Sequence, residues 1–225
     1  MQLVPGPLRR SASALLAACV AAIAVAGARF PGYRLPGWLD ATFDPRLTSH
    51  LGRFPVALNW LPHLGGQKFV AAMTLALMLV CAVVRRWRGV VLVVAAVPIA
   101  VGLTEYVLKP TIGAAIGQAF PSGHATSSFA LAASFAVLLA NPPRRVPGGV
   151  RLLLVCVAFL LAAAVAATMV ANGAHTFTDA VGGAAVGTGV VLGCAFTLDA
   201  LGILLRPEQR RQPDPVHPHD QHVSG

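Results

Sequence analysis

The sequence predicts an all-α polytopic membrane protein, a bundle of six transmembrane helices with both termini in the cytoplasm. Of its 225 residues, 56% are hydrophobic and only 11% are charged, which is too little charge to cover a soluble domain of this length. Runs of about 20 apolar residues can cross a bilayer. They cross it as helices, because lipid offers the backbone no hydrogen bonds. The apolar runs cover residues 11–28, 67–84, 89–108, 122–140, 150–170 and 178–204.

The positive charges predict the orientation of the bundle. Most lysines and arginines lie at the N-terminus, in the second and fourth connections and in the tail, which share one side of a six-span chain. The positive-inside rule places that side in the cytoplasm. The net charge of +9 is therefore interpreted as an orientation signal and as contact with lipid headgroups. We expect membrane lipids as partners and no nucleic acid.

The first apolar run has a second interpretation. Residues 8–28 combine a basic start, an apolar stretch and a small-residue end, as a cleaved signal peptide does. We favour a retained helix, because the apolar stretch is long for a signal peptide. Either interpretation leaves the next loop outside.

We expect one membrane domain over residues 1–206 and a disordered cytoplasmic tail over residues 207–225. The longest connection, residues 29–66, is rich in proline, glycine and aromatic residues. Tryptophan and tyrosine favour the headgroup region, so this loop is predicted to lie along the outer membrane surface. It is either a connector with an interfacial helix or a lid over a lipid-binding site.

The cysteines all lie inside predicted spans, and no C-x-x-C motif occurs. We therefore expect small packing residues rather than a disulfide framework or a zinc site. They are Cys19, Cys81, Cys156 and Cys194.

Polar residues interrupt the apolar sequence at three points. Lys109 ends the third span, FPSGHATSS (120–128) opens the fourth, and HTFTD (175–179) opens the sixth. Polar groups beside lipid are costly and usually functional. The six-span topology places all three stretches on the outer side, so we expect them to meet.

Two of these stretches are suited to binding an anion. Ser122 and Gly123 stand at a helix start, where a hydroxyl and backbone N–H groups can donate hydrogen bonds to an anion. Lys109 adds a point charge suited to phosphate. The sequence therefore predicts a phosphate-binding site.

The histidines supply the groups for chemistry. His175 and Asp179 are four residues apart and share one helix face, where a carboxylate can orient an imidazole and raise its basicity. His124 is a second imidazole that can act as an acid. The set suggests phosphoryl transfer through a histidine.

This pattern resembles the type-2 phosphatidate phosphatases, the membrane branch of the lipid phosphate phosphatase and vanadium haloperoxidase superfamily. The family pattern is a lysine followed by Arg-Pro, then P-S-G-H, then Ser-Arg five residues before H-x-x-x-D. The P-S-G-H match is complete at residues 121–124, and Lys109, His175 and Asp179 also match. The resemblance covers about residues 67–204.

The resemblance implies a lipid phosphate substrate, no metal or other cofactor, and a role for each matched residue. His175 would be the nucleophile that forms a phosphohistidine, Asp179 would hold its imidazole, and His124 would protonate the leaving lipid oxygen. The phosphate oxygens would be held by Lys109, Ser122 and Gly123. Phosphatidate, a prenyl phosphate and a prenyl diphosphate all remain open as substrates, as does the oligomeric state.

The sequence departs from the family at its arginines. Ala114 and Ile116 stand near the first expected position, and Met169 stands at the second. A hydrogen bond to a charged group contributes about 1.5–3 kcal/mol. The loss of two therefore corresponds to about 3–6 kcal/mol, or roughly a hundredfold to ten-thousandfold in rate.

Replacement donors would be needed, and the neutral side chains near the site are Gln118, Asn172 and Thr176. Two interpretations follow. The chain is an atypical working phosphatase, or it is a catalytically inactive relative that binds lipid phosphates or a membrane partner. A metal site formed by His124, His175 and Asp179, and a transporter, are further alternatives.

Three other features carry structural expectations. Glu105 lies four residues before Lys109, which predicts an ion pair. Asp199 is expected to pair or to reach the cytoplasmic surface, and Gly182 and Gly183 are expected to let the sixth span approach the fourth. The alanine, valine and arginine content suggests a bacterial inner-membrane protein whose site faces the periplasm.

Overall fold

The computed structural model describes residues 2–29, 37–112, 120–142 and 146–204, and every regular element within these ranges is a helix. A π-helical turn covers Leu103–Leu108. The helices are α1 (Gly6–Arg29), α2 (Trp38–Leu51), α3 (Pro55–Gly65), α4 (Gln67–Val83), α5 (Trp87–Gly102), α6 (Lys109–Thr111), α7 (Gly123–Ala140), α8 (Gly148–Ala171) and α9 (Phe177–Leu204).

Five of the described helical segments are long and apolar enough to cross a membrane, and a sixth crosses if α3 and α4 form one span bent by 56°. The five are α1, the continuous segment of α5, the π-helical turn and α6 (Trp87–Thr111), α7, α8 and α9. The predicted all-α membrane fold is therefore confirmed, while the orientation of the termini stays a prediction. The predicted tail, residues 207–225, lies outside the described residues.

The contact between α7 and α9 forms the centre of the bundle, and α9 also packs against α1 and α5. Two glycines of α9 make this contact possible. A Cβ atom on Gly183 would collide with the carbonyl oxygen of Ser122, and one on Gly187 would collide with that of Thr126. The predicted close approach of the last span to the fourth is confirmed, and small residues are its cause.

A buried carboxylate lies near the C-terminal end of α9. Asp199 is fully buried and accepts hydrogen bonds from the backbone N–H groups of Leu3 (2.7 Å) and Val4 (2.9 Å). Arg88 lies 3.5 Å from the same carboxylate. The predicted pairing of Asp199 is confirmed, and its reaching the surface is wrong, because the bundle encloses it completely.

The cysteines divide between the interior and the surface. Cys19 and Cys81 are buried and Cys194 is partly buried, whereas Cys156 is exposed on α8. Packing inside the chain is therefore a correct expectation for the buried pair and a wrong one for Cys156, which lies on an outward face of its helix.

Replacement of Gly187 by alanine is expected to lower the stability of the bundle by about 1–3 kcal/mol, because overpacking forces α7 and α9 apart. The matched control is Gly193→Ala in the same helix, where an added Cβ meets nothing within 4 Å. The thermal midpoint of each variant in detergent measures the effect. Equal midpoints for the two variants would contradict the proposed role of the close contact.

Candidate active site

A cavity of about 790 Å³ lies between α4, α5 and α7. Its polar end is lined by Lys109, Gly123, His124 and His175, and its remaining wall is mostly apolar. The structure thus brings four of the predicted site residues into one cavity from three separate stretches of sequence. Ser122 and Asp179 stand behind its lining.

Ser122 forms the start of α7 rather than the surface of the cavity. It is fully buried, and its hydroxyl accepts a hydrogen bond from the N–H of Ala125 (3.4 Å), which caps the helix. Its own N–H donates to the carbonyl of Asp179 (3.0 Å). Ser122 therefore joins the start of α7 to the start of α9, and its predicted contact with phosphate stays a prediction.

Gly123 lies directly against the ion pair formed by Glu105 and Lys109. A Cβ atom at this position would lie 2.5 Å from a carboxylate oxygen of Glu105 and 3.6 Å from the Lys109 Nζ. A side chain at position 123 would therefore displace the Glu105 carboxylate, which the glycine lets approach the first turn of α7. That turn carries backbone N–H groups without helical partners, which favour an anion.

The predicted ion pair between Glu105 and Lys109 is confirmed. The Lys109 Nζ donates to both carboxylate oxygens of Glu105, at 2.6 and 2.8 Å. The π-helical turn that carries Glu105 is held to α7 by a hydrogen bond between the hydroxyls of Thr104 and Thr126 (3.0 Å). The charge of Lys109 is consequently balanced within the site.

His175 and Asp179 are neighbours at the start of α9. The Nδ1 of His175 lies 3.5 Å from Oδ2 of Asp179, and this nitrogen is buried without a hydrogen-bond partner. The same Oδ2 accepts a hydrogen bond from the N–H of Thr176 (3.0 Å). Asp179 thus stands behind the imidazole on its Nδ1 side, which leaves Nε2 as the nitrogen available to the cavity.

His124 lies in the first turn of α7, beside the corner between α3 and α4. The hydroxyl of Ser127 donates to the carbonyl of Gly65 (3.0 Å) and holds this corner against α7. A Cβ atom on Gly65 would lie 3.2 Å from the Cβ of His124. The sequence reasoning missed Ser127 and Gly65, and the small residues of L-G-G before α4 were the available signal.

Met169 lines the cavity at the position where the family pattern has its second arginine. Lys109 is the only lysine or arginine among the described lining residues. The positions named for the first arginine, Ala114 and Ile116, lie outside the described residues. So does Gln118, one of the three donors considered as replacements.

The other two donors serve structural contacts. The side-chain N–H of Asn172 donates to the carbonyl of Leu58 (3.1 Å), which ties α3 to the end of α8. The hydroxyls of Thr176 and Thr178 are 3.1 Å apart. Neither Asn172 nor Thr176 lines the cavity, so neither of them replaces an arginine directly.

Two acidic residues of α2 hold the start of α9, and the sequence reasoning missed both. Asp40 is buried and accepts hydrogen bonds from the N–H (2.8 Å) and the hydroxyl (2.9 Å) of Thr178. Asp44 accepts one from the N–H of Phe177 (2.9 Å). The available signals were the four-residue spacing of the two acids and the free N–H groups that the start of α9 presents.

The carboxyl of Asp44 lies close to other acids. Burial raises its pKa, and the nearby Asp40 and Asp179 raise it further, while the hydrogen bond from Phe177 opposes them. Ionised Asp44 therefore costs stability. That cost is absent below the pKa of the unfolded chain and is fully present once the pH has risen through the raised pKa of the folded chain.

The outer segment that carries α2 and α3 presents large apolar side chains to its surroundings. Trp38, Phe54, Val56 and Trp60 are each at least 60% exposed. Such side chains are typical of the membrane interface. His50 and His63, which lie in this segment, are exposed, and neither lines the cavity.

Residues 105–201 match the family model of the PAP2 superfamily. The match contains all the predicted site residues and confirms the resemblance to the type-2 phosphatidate phosphatases and haloperoxidases. This segment of the chain is thus similar to the lipid phosphatase-like membrane proteins of that superfamily. No curated protein and no solved structure matches it significantly. Among the described residues, no group of three or more His, Cys, Asp and Glu side chains is placed to hold a metal ion.

Replacement of Asp40 by alanine is expected to lower stability by about 1–3 kcal/mol, because it leaves the buried donors of Thr178 unpaired. Detachment of α2 would also let the helix open around Arg46, which is already exposed, and so make the chain cleavable by trypsin there. Thermal midpoints and limited trypsin digestion in detergent measure both effects.

The matched control is Asp44→Asn, which keeps an acceptor for Phe177 and removes the unfavourable charge. This variant is expected to equal or exceed the wild type at neutral pH and to lose its advantage in acid. Equal loss of stability in the two variants would contradict the different roles assigned to Asp40 and Asp44.

Proposed function

We propose that this chain, with its PAP2-superfamily segment at residues 105–201, is an integral membrane phosphatase that hydrolyses a phosphate ester of a lipid through a phosphohistidine. One observation supports this most: His124, His175 and Lys109 line the polar end of a cavity whose other wall is apolar. Such a cavity suits a molecule with a phosphate at one end and a hydrocarbon chain at the other.

In the first step, Nε2 of His175 would attack phosphorus and the bond to the lipid oxygen would break. The position of Asp179 beside Nδ1 suits it to stabilise the positive charge that the imidazole acquires. His124 would give a proton to the leaving lipid oxygen. The products of this step are a free lipid alcohol and phosphohistidine.

In the second step, a water molecule would attack the phosphohistidine, and His124, now neutral, would accept a proton from that water. The phosphorus–nitrogen bond would break, which restores His175 and releases inorganic phosphate. Each proton taken up by His124 in one step is therefore returned in the other, and the cycle needs no metal or other cofactor.

The phosphate oxygens would be held by Lys109 and by the N–H groups at the start of α7, beginning with Gly123. Ser122 is assigned to the same group of ligands, although its hydroxyl now caps the helix. Because the hydroxyl accepts this bond, its own O–H would serve as the donor to a phosphate oxygen.

The lipid chain would extend along α4 and α5. The lining runs from Val70 to Met78 on α4, and from Val97 on α5 to Glu105 in the π-helical turn. Each of these intervals corresponds to roughly 12 Å of helix. This length supports a substrate whose chain enters the membrane interior while its phosphate stays with the histidines, as in a glycerolipid or polyprenyl phosphate.

The predicted orientation places this site at the extracytoplasmic face, and in a bacterial cell at the periplasmic side of the inner membrane. The exposed Trp38 and Trp60 near the same end of the bundle support a position at the membrane surface. The assignment of residues 1–206 to one membrane domain belongs to the same proposal.

A second candidate function is the binding of lipid phosphates, or of a membrane partner, without catalysis. Met169 in the cavity wall and the pairing of Lys109 with Glu105 favour it, because both reduce the positive charge available to a transition state. The two functions differ only in phosphate release.

Purified protein in detergent is expected to release phosphate from a lipid phosphate in the panel of phosphatidate, farnesyl phosphate and farnesyl diphosphate. His175→Ala should reduce the release to background, and His124→Ala should reduce it by about 10²–10⁴-fold. The control is His63→Ala, an exposed histidine outside the cavity, which should leave the rate unchanged. Release that persists in His175→Ala would contradict the mechanism.

Lys109→Met is expected to weaken phosphate binding, and Lys68→Met serves as its control. Lys68 carries the same charge as Lys109 and lies at the N-terminal end of α4. It is exposed and does not line the cavity. A folded wild type that retains lipid phosphate and releases none would support the second function instead.

A further inference from the structure

The net charge of the candidate site differs from what a phosphate-binding cavity is expected to carry. Lys109 is the one lysine or arginine of the described lining, and both of its closest contacts are oxygens of Glu105. Among the described residues of the polar end, the charges of Lys109 and Glu105 therefore cancel, and Asp179 behind His175 adds a negative charge.

The position of Glu105 is as important as its charge. Its carboxylate is the nearest group to the place where a side chain on Gly123 would begin. It therefore stands against the first turn of α7, which is the part of the site predicted to hold phosphate oxygens. An internal carboxylate already lies between the lysine and the helix start that an incoming anion would use.

An anionic ligand that enters this site meets the negative charge of Glu105 at short range. The repulsion between two charges grows in proportion to each of them and is strong where water is scarce. A phosphate monoester carries about two negative charges near neutral pH, and a diphosphate ester carries about three. Each added charge on the ligand therefore increases the penalty imposed by Glu105.

We propose that Glu105 determines which phosphate compounds the cavity accepts: it balances Lys109 beside the start of α7, so that lipid monophosphates bind and lipid diphosphates are rejected. This inference rests on the proposed function, because it assigns a substrate class to the same site. Glu105 acts on the ligand's charge and takes no part in breaking the phosphorus–oxygen bond.

The partial exposure of the pair makes the inference testable by substitution. The side chains of Lys109 and Glu105 are 26% and 35% exposed, so a change at residue 105 leaves the buried core untouched. Glu105→Gln removes the charge and keeps the shape. Glu105→Asp keeps the charge on a shorter side chain and is the matched control.

The experiment measures the dissociation constants of decyl phosphate and decyl diphosphate by calorimetry in detergent, with the full chain carrying His175→Ala so that neither ligand is hydrolysed. The chain with Glu105 is expected to bind decyl phosphate at least tenfold more tightly than decyl diphosphate. Glu105→Gln should strengthen binding of both ligands, and the diphosphate more, so that the preference falls below about threefold. Glu105→Asp should retain the preference.

A preference that is unchanged in Glu105→Gln, or that is lost equally in Glu105→Asp, would overturn the inference. Decanol serves as the ligand without phosphate. Binding of decanol and decyl phosphate with equal affinity would overturn the proposed function as well, because it would show that the cavity does not recognise phosphate. A preference that follows Glu105, in a protein whose wild type releases no phosphate, would support the inference together with the second, non-catalytic function.

Discussion

The close contact between α7 and α9 is the constraint on which the site depends. Gly183 and Gly187 let the two helices approach until the backbone of one touches the backbone of the other. The hydrogen bond from the N–H of Ser122 to the carbonyl of Asp179 then joins their first turns. Because His124 follows one of these positions and His175 precedes the other, the contact brings the two histidines to the same end of the bundle.

Buried carboxylates hold the two ends of this central pair by the same physical means. Asp40 accepts hydrogen bonds from the start of α9 at the end that carries the cavity, and Asp199 accepts them from Leu3 and Val4 at the opposite end. A carboxylate that accepts backbone N–H bonds satisfies donors that would otherwise be buried unpaired. The outer segment and the N-terminal residues are thereby made part of the bundle, although neither is a long apolar helix.

The polar end of the cavity combines the proposed reacting groups with a single described cation, Lys109. His124, His175 and Asp179 occupy positions suited to nucleophilic and acid–base chemistry, whereas Met169 replaces a cation and Glu105 balances Lys109. Electrostatic stabilisation is usually the largest part of phosphoryl-transfer catalysis. A site of this kind is consistent with a slow and selective phosphatase, because low positive charge reduces both the rate and the range of anions that bind.

The sequence by itself determined the membrane class, the order of the long helices and the pairing of Glu105 with Lys109, because apolar run length and spacing along a helix are local properties. It also indicated the close approach at Gly183, because small residues on a helix face permit such an approach. Only the tertiary structure decided that Ser122 lies behind the cavity and that Asp40 holds the start of α9. These contacts join residues far apart in the chain, and hydrophobic periodicity carries no information about which distant donor a buried carboxylate will meet.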